Sequence, residues 1–462
     1  GFVVGVVLAQ WSSGWNYGVW MGVGALGTAI ILWRRSAYLI PLLTICGVIL
    51  GLWRGSIDQE QLTVYRALYG KTVVLSGNVT DDADTAKGGG IVMRLGGLES
   101  AGHTLPGKVW VTAKTSLDIK RGDSVRVRGM LMTGFGSFAG ALYRADIESV
   151  ERPEPGDVAR RVRDWFADNV RLAIPDPQAA LGIGYLVGQR RALPPELDQA
   201  LQIAGLTHIV VASGYNLTIL VRLARRLFVT ISKYLSVLSA STMILAFVAI
   251  TGASPSMSRA GLVAGLSLAA WYYGRKFHPL VLLPFAAAVT VVIDPSFAWN
   301  DLGWQLSFAA FAGVMILAPL LQRYFFGGKE PGTVRQILGE TMSAFIMTLP
   351  ILVVSFGQIS NVAILANVLV LPLVPLAMLL TFVAGVSAMI VPTAAEVIGL
   401  PATWLLGYMT WVAEYVSKLP WALTEVEVGA WVAGVSYAVI IAAMMYLWRA
   451  TRYNLRDTNI VE

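Results

Sequence analysis

The sequence predicts a polytopic α-helical membrane protein with an extracytoplasmic all-β insert, an OB-like barrel, and three observations lead there. Of 462 residues, 56% are hydrophobic and 14% charged, with a mean hydropathy of +0.63. A soluble globular chain carries about 45–50% apolar and 25% charged residues. Long apolar runs recur from Gly205 onward, whereas charge and strand-like alternation gather between Arg54 and Arg171. Length alone would suggest about three soluble domains, and this distribution excludes them.

The chain starts at Gly1, and its first apolar run, Phe2–Ala9, is too short to cross roughly 30 Å of hydrocarbon. No basic residue precedes it, so it reads as the end of a longer span and not as a signal peptide. Further candidate spans are Asn16–Trp33, Ala37–Trp53, Gly205–Val221, Leu227–Ile250, Met257–Trp271, Leu280–Ile293, Leu302–Leu321, Met342–Phe356, Asn361–Val391, Ala395–Val416 and Gly429–Leu447. Pro372 and Pro375 divide the Asn361–Val391 run into two half-helices, which survive at membrane depth only inside protein or beside a wet cavity. The single cysteine, Cys46, lies in an apolar run and excludes an internal disulfide or a cysteine zinc cluster.

Basic residues beside the spans set the orientation. Arg34 and Arg35 form a tight basic loop, which belongs in the cytoplasm. The next span then delivers the domain beginning near Ser56 to the outside. Arg222, Arg225, Arg226 and Lys233, then Arg275 and Lys276, and finally Arg449, Arg452 and Arg456 mark further cytoplasmic segments. The net charge of +7 is accounted for by this topology. The resulting organisation is N-terminal spans (1–55), the β insert (56–156), an amphipathic interfacial helix (157–175), a multi-span domain (176–448) and a cytoplasmic basic tail (449–462).

Five runs in the insert alternate or are rich in β-branched residues: Thr72–Thr80, Ile91–Leu98, Lys108–Lys114, Ser124–Leu131 and Ala139–Val150. Turn signals separate them, among them Asp81-Asp82, Gly88–Gly90, Pro106-Gly107 and Gly134–Gly136. Five short strands fit a small closed barrel of the OB kind, and an SH3-like barrel gives a similar pattern. OB-folds bind single strands with basic grooves and aromatic platforms. Lys108, Trp110, Lys114, Arg126 and Arg128 are the candidate DNA contacts, with Lys87 and Arg94 adding charge; a plain solvated barrel face is the alternative. After the barrel, Val158, Val162, Trp165, Phe166 and Val170 recur at helical spacing, with Arg160, Arg161, Arg163 and Arg171 off that stripe. Such a helix lies in the membrane interface or packs the same face on the bundle.

The multi-span domain opens with Pro194-Pro195-Glu196, a turn into a helix. Beyond Gly205 an apolar run carries His208, Ser213 and Asn216; on one helix, His208 and Asn216 would share a face two turns apart. Polar residues facing lipid are costly, so that face looks into the bundle or a wet path, unless it is helix–helix glue. Ser254–Ala260 breaks a helix and sets Ser256 at, and Arg259 about one turn inside, the next span. A buried arginine points to function, and snorkelling to the interface is the alternative. Asp301, Gln305 and Ser307 stand at the mouth of a later span, as channel lining or as a capped helix start.

The order AGLTHIVVASGYN, SPSMSRAG and DPSFAWNDLGWQLSFAAFAGV resembles the ComEC-type competence proteins, over almost the whole chain. The resemblance implies a channel passing single-stranded DNA across the bacterial cytoplasmic (inner) membrane in natural transformation, with the barrel outside and the C-terminus cytoplasmic. Its residues fall on His208, Ser213 and Gly214, on Pro255, Ser256, Arg259 and Ala260, and on Asp294, Pro295, Gln305, Ser307 and Phe308. Relatives commonly have a histidine where this chain has Asn216, which leaves a protonation role there in doubt. Many relatives also carry a metallo-β-lactamase-like nuclease domain. This chain has three histidines and no HxHxDH-type cluster, so the resemblance is to the form without that domain: a transport channel and not an enzyme, with no cofactor or metal.

No GxxxxGK[ST] motif is present, so ATP-driven pulling falls to a partner. By resemblance the partners are single-stranded DNA, membrane lipid, a cytoplasmic helicase-like motor, an extracytoplasmic DNA receptor and a separate nuclease, and the pore lies within one chain or in a homodimer. Two rival classes stay open. One is an intramembrane serine hydrolase using Ser213 and His208, disfavoured because five residues on one helix turn the two side chains about 140° apart. The other is a small-solute or lipid transporter built around the break at Pro372.

Overall fold

The computed structural model describes residues 1–11, 22–29, 40–85, 90–115, 117–154, 156–189, 193–210, 214–252, 255–275, 278–327 and 332–452. The Arg34–Arg35 loop, most of the Asn16–Trp33 span, Lys87, Ser213, Lys276 and Arg456 lie outside these residues. The chain forms two compact units, Gly1–Asp157 with Pro284–Gln305, and Val158–Leu283 with Leu306–Glu462.

The first unit begins with helices α1 (Phe2–Leu8), α2 (22–29) and α3 (Ile40–Leu62). Gly5 and Gly51 stand where α1 crosses α3, and a Cβ at either would overlap the facing backbone. Strands follow: β1 (Thr72–Val79), β2 (Asp84–Thr85), β3 (Ile91–Ser100), β4 (His103–Leu105), β5 (Val109–Ala113), β6 (Ser124–Thr133), β7 (Gly140–Leu142) and β8 (Asp146–Glu151). Five of them close a barrel in the order β1-β3-β5-β7-β6, with β6 pairing back onto β1. Only β5 and β7 run parallel within that circuit. Three consecutive strands, with the fourth returning beside the first, make this a Greek-key path.

Alternation explains the barrel. Val109, Val111 and Ala113 point inward, with Leu75, Met93, Leu95, Val125, Val127 and Leu131 beside them, all buried. Tyr65, in the segment joining α3 to β1, is fully buried in the same core and donates its hydroxyl to Pro106 O at 2.7 Å. The expected fifth strand, Ala139–Val150, is instead two strands. Arg144 adopts a left-handed φ of 55°, and the chain bends there, so β7 bridges β5 and β6 while β8 continues along β6 alone.

The second unit is helical: α4 (Val158–Ala173), α5 (Gln178–Val187), α6 (Pro195–Ile203), α7 (Thr207–Val210), α8 (Gly214–Phe228), α9 (Lys233–Thr251) and α10 (Pro255–Tyr272). Helices α11 (Pro279–Ile293) and α12 (Leu302–Phe326) supply residues to both units. The unit continues with α13 (Thr333–Phe356), α14 (Ala363–Ile390), α15 (Ala395–Ser417) and α16 (Ala430–Thr451). A 3-10 turn at Leu371–Leu373 interrupts α14 beside Pro372, where the sequence places a break. Strands β9 (Gln358–Ser360) and β10 (Leu423–Glu425) pair antiparallel and bring the end of α13 together with the end of α15. Among the described residues, five helices are long and apolar enough to cross a membrane: α9, α12, most of α13, α14 and α16.

The Gly205–Val221 run holds α7 (Thr207–Val210) and the start of α8 at Gly214, with residues 211–213 between them outside the described residues. On α4, two of the arginines off the apolar stripe turn inward. Val158, Val162 and Trp165 are exposed, while Arg160 and Arg163 are buried. Asp164 offsets their charge, 3.6 Å from Arg160 and 3.0 Å from Arg163. Val170 and Phe166, the latter stacked on Phe382, seat α4 on α14 at Gly385, and Ala173 meets α15 at Gly399.

Candidate functional site

The three motifs that are far apart in sequence meet at the start of α10. Gly214, the first residue of α8, faces Ala260 so closely that a Cβ there would lie 3.2 Å from the alanine Cβ. The adjacent Arg259 is 3% exposed. Its guanidinium lies 5.9 Å from the centroid of the Phe308 ring on α12, within cation–π range. The Ser-Gly, Ser-Arg-Ala and Ser-Phe pieces therefore converge within one unit. Ser256 and Ser307 are half-buried on α10 and α12.

Asn216 is fully buried, and its amide donates to Tyr185 O at 3.0 Å and Ile209 O at 3.3 Å. Tyr185 stands in the last turn of α5, and Ile209 in α7. Carbonyls in a last helical turn lack intrahelical partners, so the Asn216 amide caps α5 and ties α7 to α8. His208 behaves differently. It is exposed, and its Nδ1 lies 3.0 Å from Gly205 O, in its own turn. His208 and Asn216, expected on a shared face, thus differ in burial, the one exposed and the other fully buried. Ser213 lies outside the described residues.

Asp301 and Gln305 belong to the first unit. The Asp301 carboxylate accepts from Trp304 N as an N-cap of α12, and Gln305 Nε2 donates to Trp299 O at 3.2 Å. The capped-start alternative thus describes Asp301, while Gln305 ties α12 back to the preceding turn. The same segment is tied to the barrel's stem. Arg54, on α3, donates to Val292 O (3.0 Å) and Ile293 O (3.2 Å) at the end of α11, a favourable place for a cation. Nearby, burial and the Asp294 carboxylate push the Asp58 carboxyl above its ordinary range, and Arg54 opposes them.

On the barrel the candidate DNA contacts fall into two groups. Arg94 of β3, Trp110 of β5, Ala141 of β7 and Met132 of β6 stand in register across four strands. Phe135 and Phe138 pack edge-on against Trp110 at 5.4 and 5.2 Å, and the Arg94 guanidinium lies 5.5 Å from its ring. Lys108 and Lys114 share the outward parity of Trp110 on the β5 line, and Lys114 is exposed. Phe135 and Phe138 escaped the sequence reading, which took Gly134–Gly136 as a turn only; the Phe-Gly-Ser-Phe spacing was the available signal. Arg126 and Arg128 lie elsewhere, beside β8. Arg126 pairs with Glu148 at 3.2 Å, and Arg128 stands in register with Asp146. Acidic side chains thus stand beside that half of the expected basic face.

No solved structure matches the chain. It is 26% identical over 241 residues to ComE operon protein 3 of Bacillus subtilis (strain 168), covering 50% of this chain and 29% of that protein. It is also 24% identical over 221 residues to an uncharacterized protein of Aquifex aeolicus (strain VF5), covering 46% of this chain and 50% of that protein. The chain thus spans half or less of the curated relatives it matches. The model of the competence protein family matches residues 185–451, the stretch that holds α7, α8, α10 and α12 and their converging motifs. With more than half of its length inside that match, the chain belongs to the competence protein family.

Proposed function

We propose that this chain conducts single-stranded DNA inward across the bacterial cytoplasmic membrane during competence, past the junction of α8, α10 and α12. The observation that carries the reading is Arg259, buried over Phe308 where the family's three motifs converge. Each nucleotide brings a negative charge into a low-dielectric region, and such a path needs a cation and polar side chains. Ser256 and Ser307, with the sequence candidates His208 and Ser213, would line it. Asn216 supports that lining by holding α5, α7 and α8 together. The path is a conduit and not a catalyst, with a separate motor, receptor and nuclease acting on the DNA.

Sidedness supports the same reading. Arg222, Arg225, Arg226 and Lys233 border the α8–α9 turn, Arg275 follows α10, Arg323 and Arg335 flank the α12–α13 connection, and Arg449 ends α16. With α10, α11 and α15 crossing as well as the five longest apolar helices, all of these fall on one side, the cytoplasm by the basic-loop bias. Asp294, Asp301, Glu425 and Glu427 fall on the other side. Arg54 joins the barrel end of α3 to the Asp294 end of α11, so the barrel belongs outside. Its five-stranded Greek-key path agrees with an OB-fold, and the Arg94–Trp110–Phe135 row would be the first surface to meet the strand.

The test is uptake of labelled DNA by cells carrying the wild-type gene, a deletion, Arg259→Ala or Arg259→Lys, with membrane levels of each protein measured. Loss of uptake in Arg259→Ala, partly restored by lysine at equal protein levels, supports the reading. Undiminished uptake in the deletion strain overturns it.

A further inference from the structure

A hydroxyl inside an apolar helix contact commonly returns to the backbone of its own helix. Thr218, Thr251, Thr348 and Thr381 of the second unit do so, each donating to the carbonyl four residues back at 2.7 to 2.9 Å. Ser267 of α10 does not. It is 4% exposed, and its Oγ is buried without a hydrogen-bond partner. Burying a hydroxyl in that state is costly, and it calls for a partner from outside the fold.

The position of Ser267 on α10 says which partner. Val263 and Leu266, on the arc of Arg259, belong to the apolar cluster that holds Phe308 and Met315 of α12. Ala260, Ala264 and Leu268, on a second arc, belong to the cluster of Leu217 and Val221 of α8. Ser256 and Ser267 are eleven residues apart, hence within about 20° of each other around the helix and on the boundary between the two arcs. That line of α10 faces the cleft between α8 and α12. Gly214 meets Ala260, and Arg225 meets Trp271, so α8 runs parallel to α10 and the cleft continues from the junction past Ser267. Ser267 stands eight residues beyond Arg259, about 12 Å further along the helix axis.

We infer that Ser267 is a second contact on the conducted strand, donating its hydroxyl to a phosphodiester oxygen once that phosphate has passed Arg259. The inference rests on the path proposed above and extends it along α10 toward the cytoplasmic end. A neutral donor suits that depth: it offsets part of the cost of a phosphate in the bundle without adding a charge that release must overcome.

The experiment measures the rate of labelled-DNA uptake by cells carrying the wild-type chain, Ser267→Ala, Ser267→Thr or Ser343→Ala, beside the deletion and Arg259→Ala. Membrane levels and thermal unfolding of each full-length chain are followed in parallel. Ser343 of α13 is a second buried serine hydroxyl without a partner, but it lies against Gly313, turned about 140° from Phe308 around α12. Ser267→Ala should slow uptake roughly tenfold, the factor for one hydrogen bond to a charged group at the low end of its range, with unfolding unchanged. Ser267→Thr, which keeps the hydroxyl, should stay near wild type, and so should Ser343→Ala. Where the added methyl keeps Ser267→Thr out of the membrane, Ser267→Cys, a weaker donor, should fall between wild type and alanine. Uptake by Ser267→Ala equal to wild type overturns the contact, and so does an equal loss in Ser343→Ala. Loss in Arg259→Ala without loss in Ser267→Ala removes this inference and leaves the proposed path standing, whereas normal uptake in the deletion strain overturns the path itself.

Discussion

Replacing Asn216 by leucine separates a structural from a transport role for that residue. The asparagine amide satisfies the carbonyls of Tyr185 and Ile209, at 3.0 and 3.3 Å, in a fully buried setting. Leucine is close in volume, so the main effect is the loss of a donor to each of two buried carbonyls. A buried acceptor left unsatisfied costs about 1–3 kcal/mol. Asn216→Leu should therefore destabilise the second unit by about 2–5 kcal/mol, and Asn216→His, which keeps one ring N–H, by roughly half of that. Tryptophan fluorescence during thermal unfolding of the detergent-solubilised chain would read both. DNA uptake should fall only as far as the amount of folded protein falls. Unchanged stability in Asn216→Leu together with lost uptake would refute the capping role and place the amide on the conduction path.

Three other substitutions probe separate parts of the fold. Gly313 lies in a π-helical turn of α12, and a Cβ there would come 2.5 Å from Ser343 O; Gly313→Ala should destabilise the α12–α13 crossing by about 1–3 kcal/mol, read by the same thermal unfolding. Trp110→Ala should weaken oligothymidylate binding by the Ser56–Gly156 domain, whose core is its own, by about 1–3 kcal/mol at low salt, whereas Arg126→Ala should change it little; equal losses would contradict the division into two faces. Asp58 has a raised carboxyl pKa, so its contribution to stability is full below the ordinary carboxyl range and is lost as pH rises through the raised value. Thermal unfolding from pH 4 to 7 should show that decline in the wild type and a flatter profile in Asp58→Asn.

The barrel was legible because its strands obey one rule, a period of two with one buried face, and Val109, Val111 and Ala113 follow it strictly. The bend at Arg144 was not legible, since no glycine marks its left-handed backbone. Helix spacing relates His208 to Asn216 but does not reveal that the first is exposed and the second buried, since burial depends on which distant helices pack there. On α4 the pattern gave the right stripe but not its partner. An apolar face suits lipid as well as protein, and Asp164 let two arginines go inward. At the candidate site, Arg259 could be singled out from sequence because a charge inside an apolar run is conspicuous, whereas its approach to Phe308 depends on a crossing of two distant helices.

That crossing bears on how an anion could pass without being trapped. Two unit charges 4 Å apart attract by about 4 kcal/mol at an effective dielectric of 20, and conduction needs binding strong enough for entry yet weak enough for release. An aromatic face offsets part of the cost of burying the guanidinium, about 0.5–2 kcal/mol, without adding a negative charge to compete with the phosphate. Phe308 at 5.9 Å supplies that face. On the proposed function, one cation over one ring would suit a strand that advances phosphate by phosphate, whereas several cations at the same depth would hold it in place.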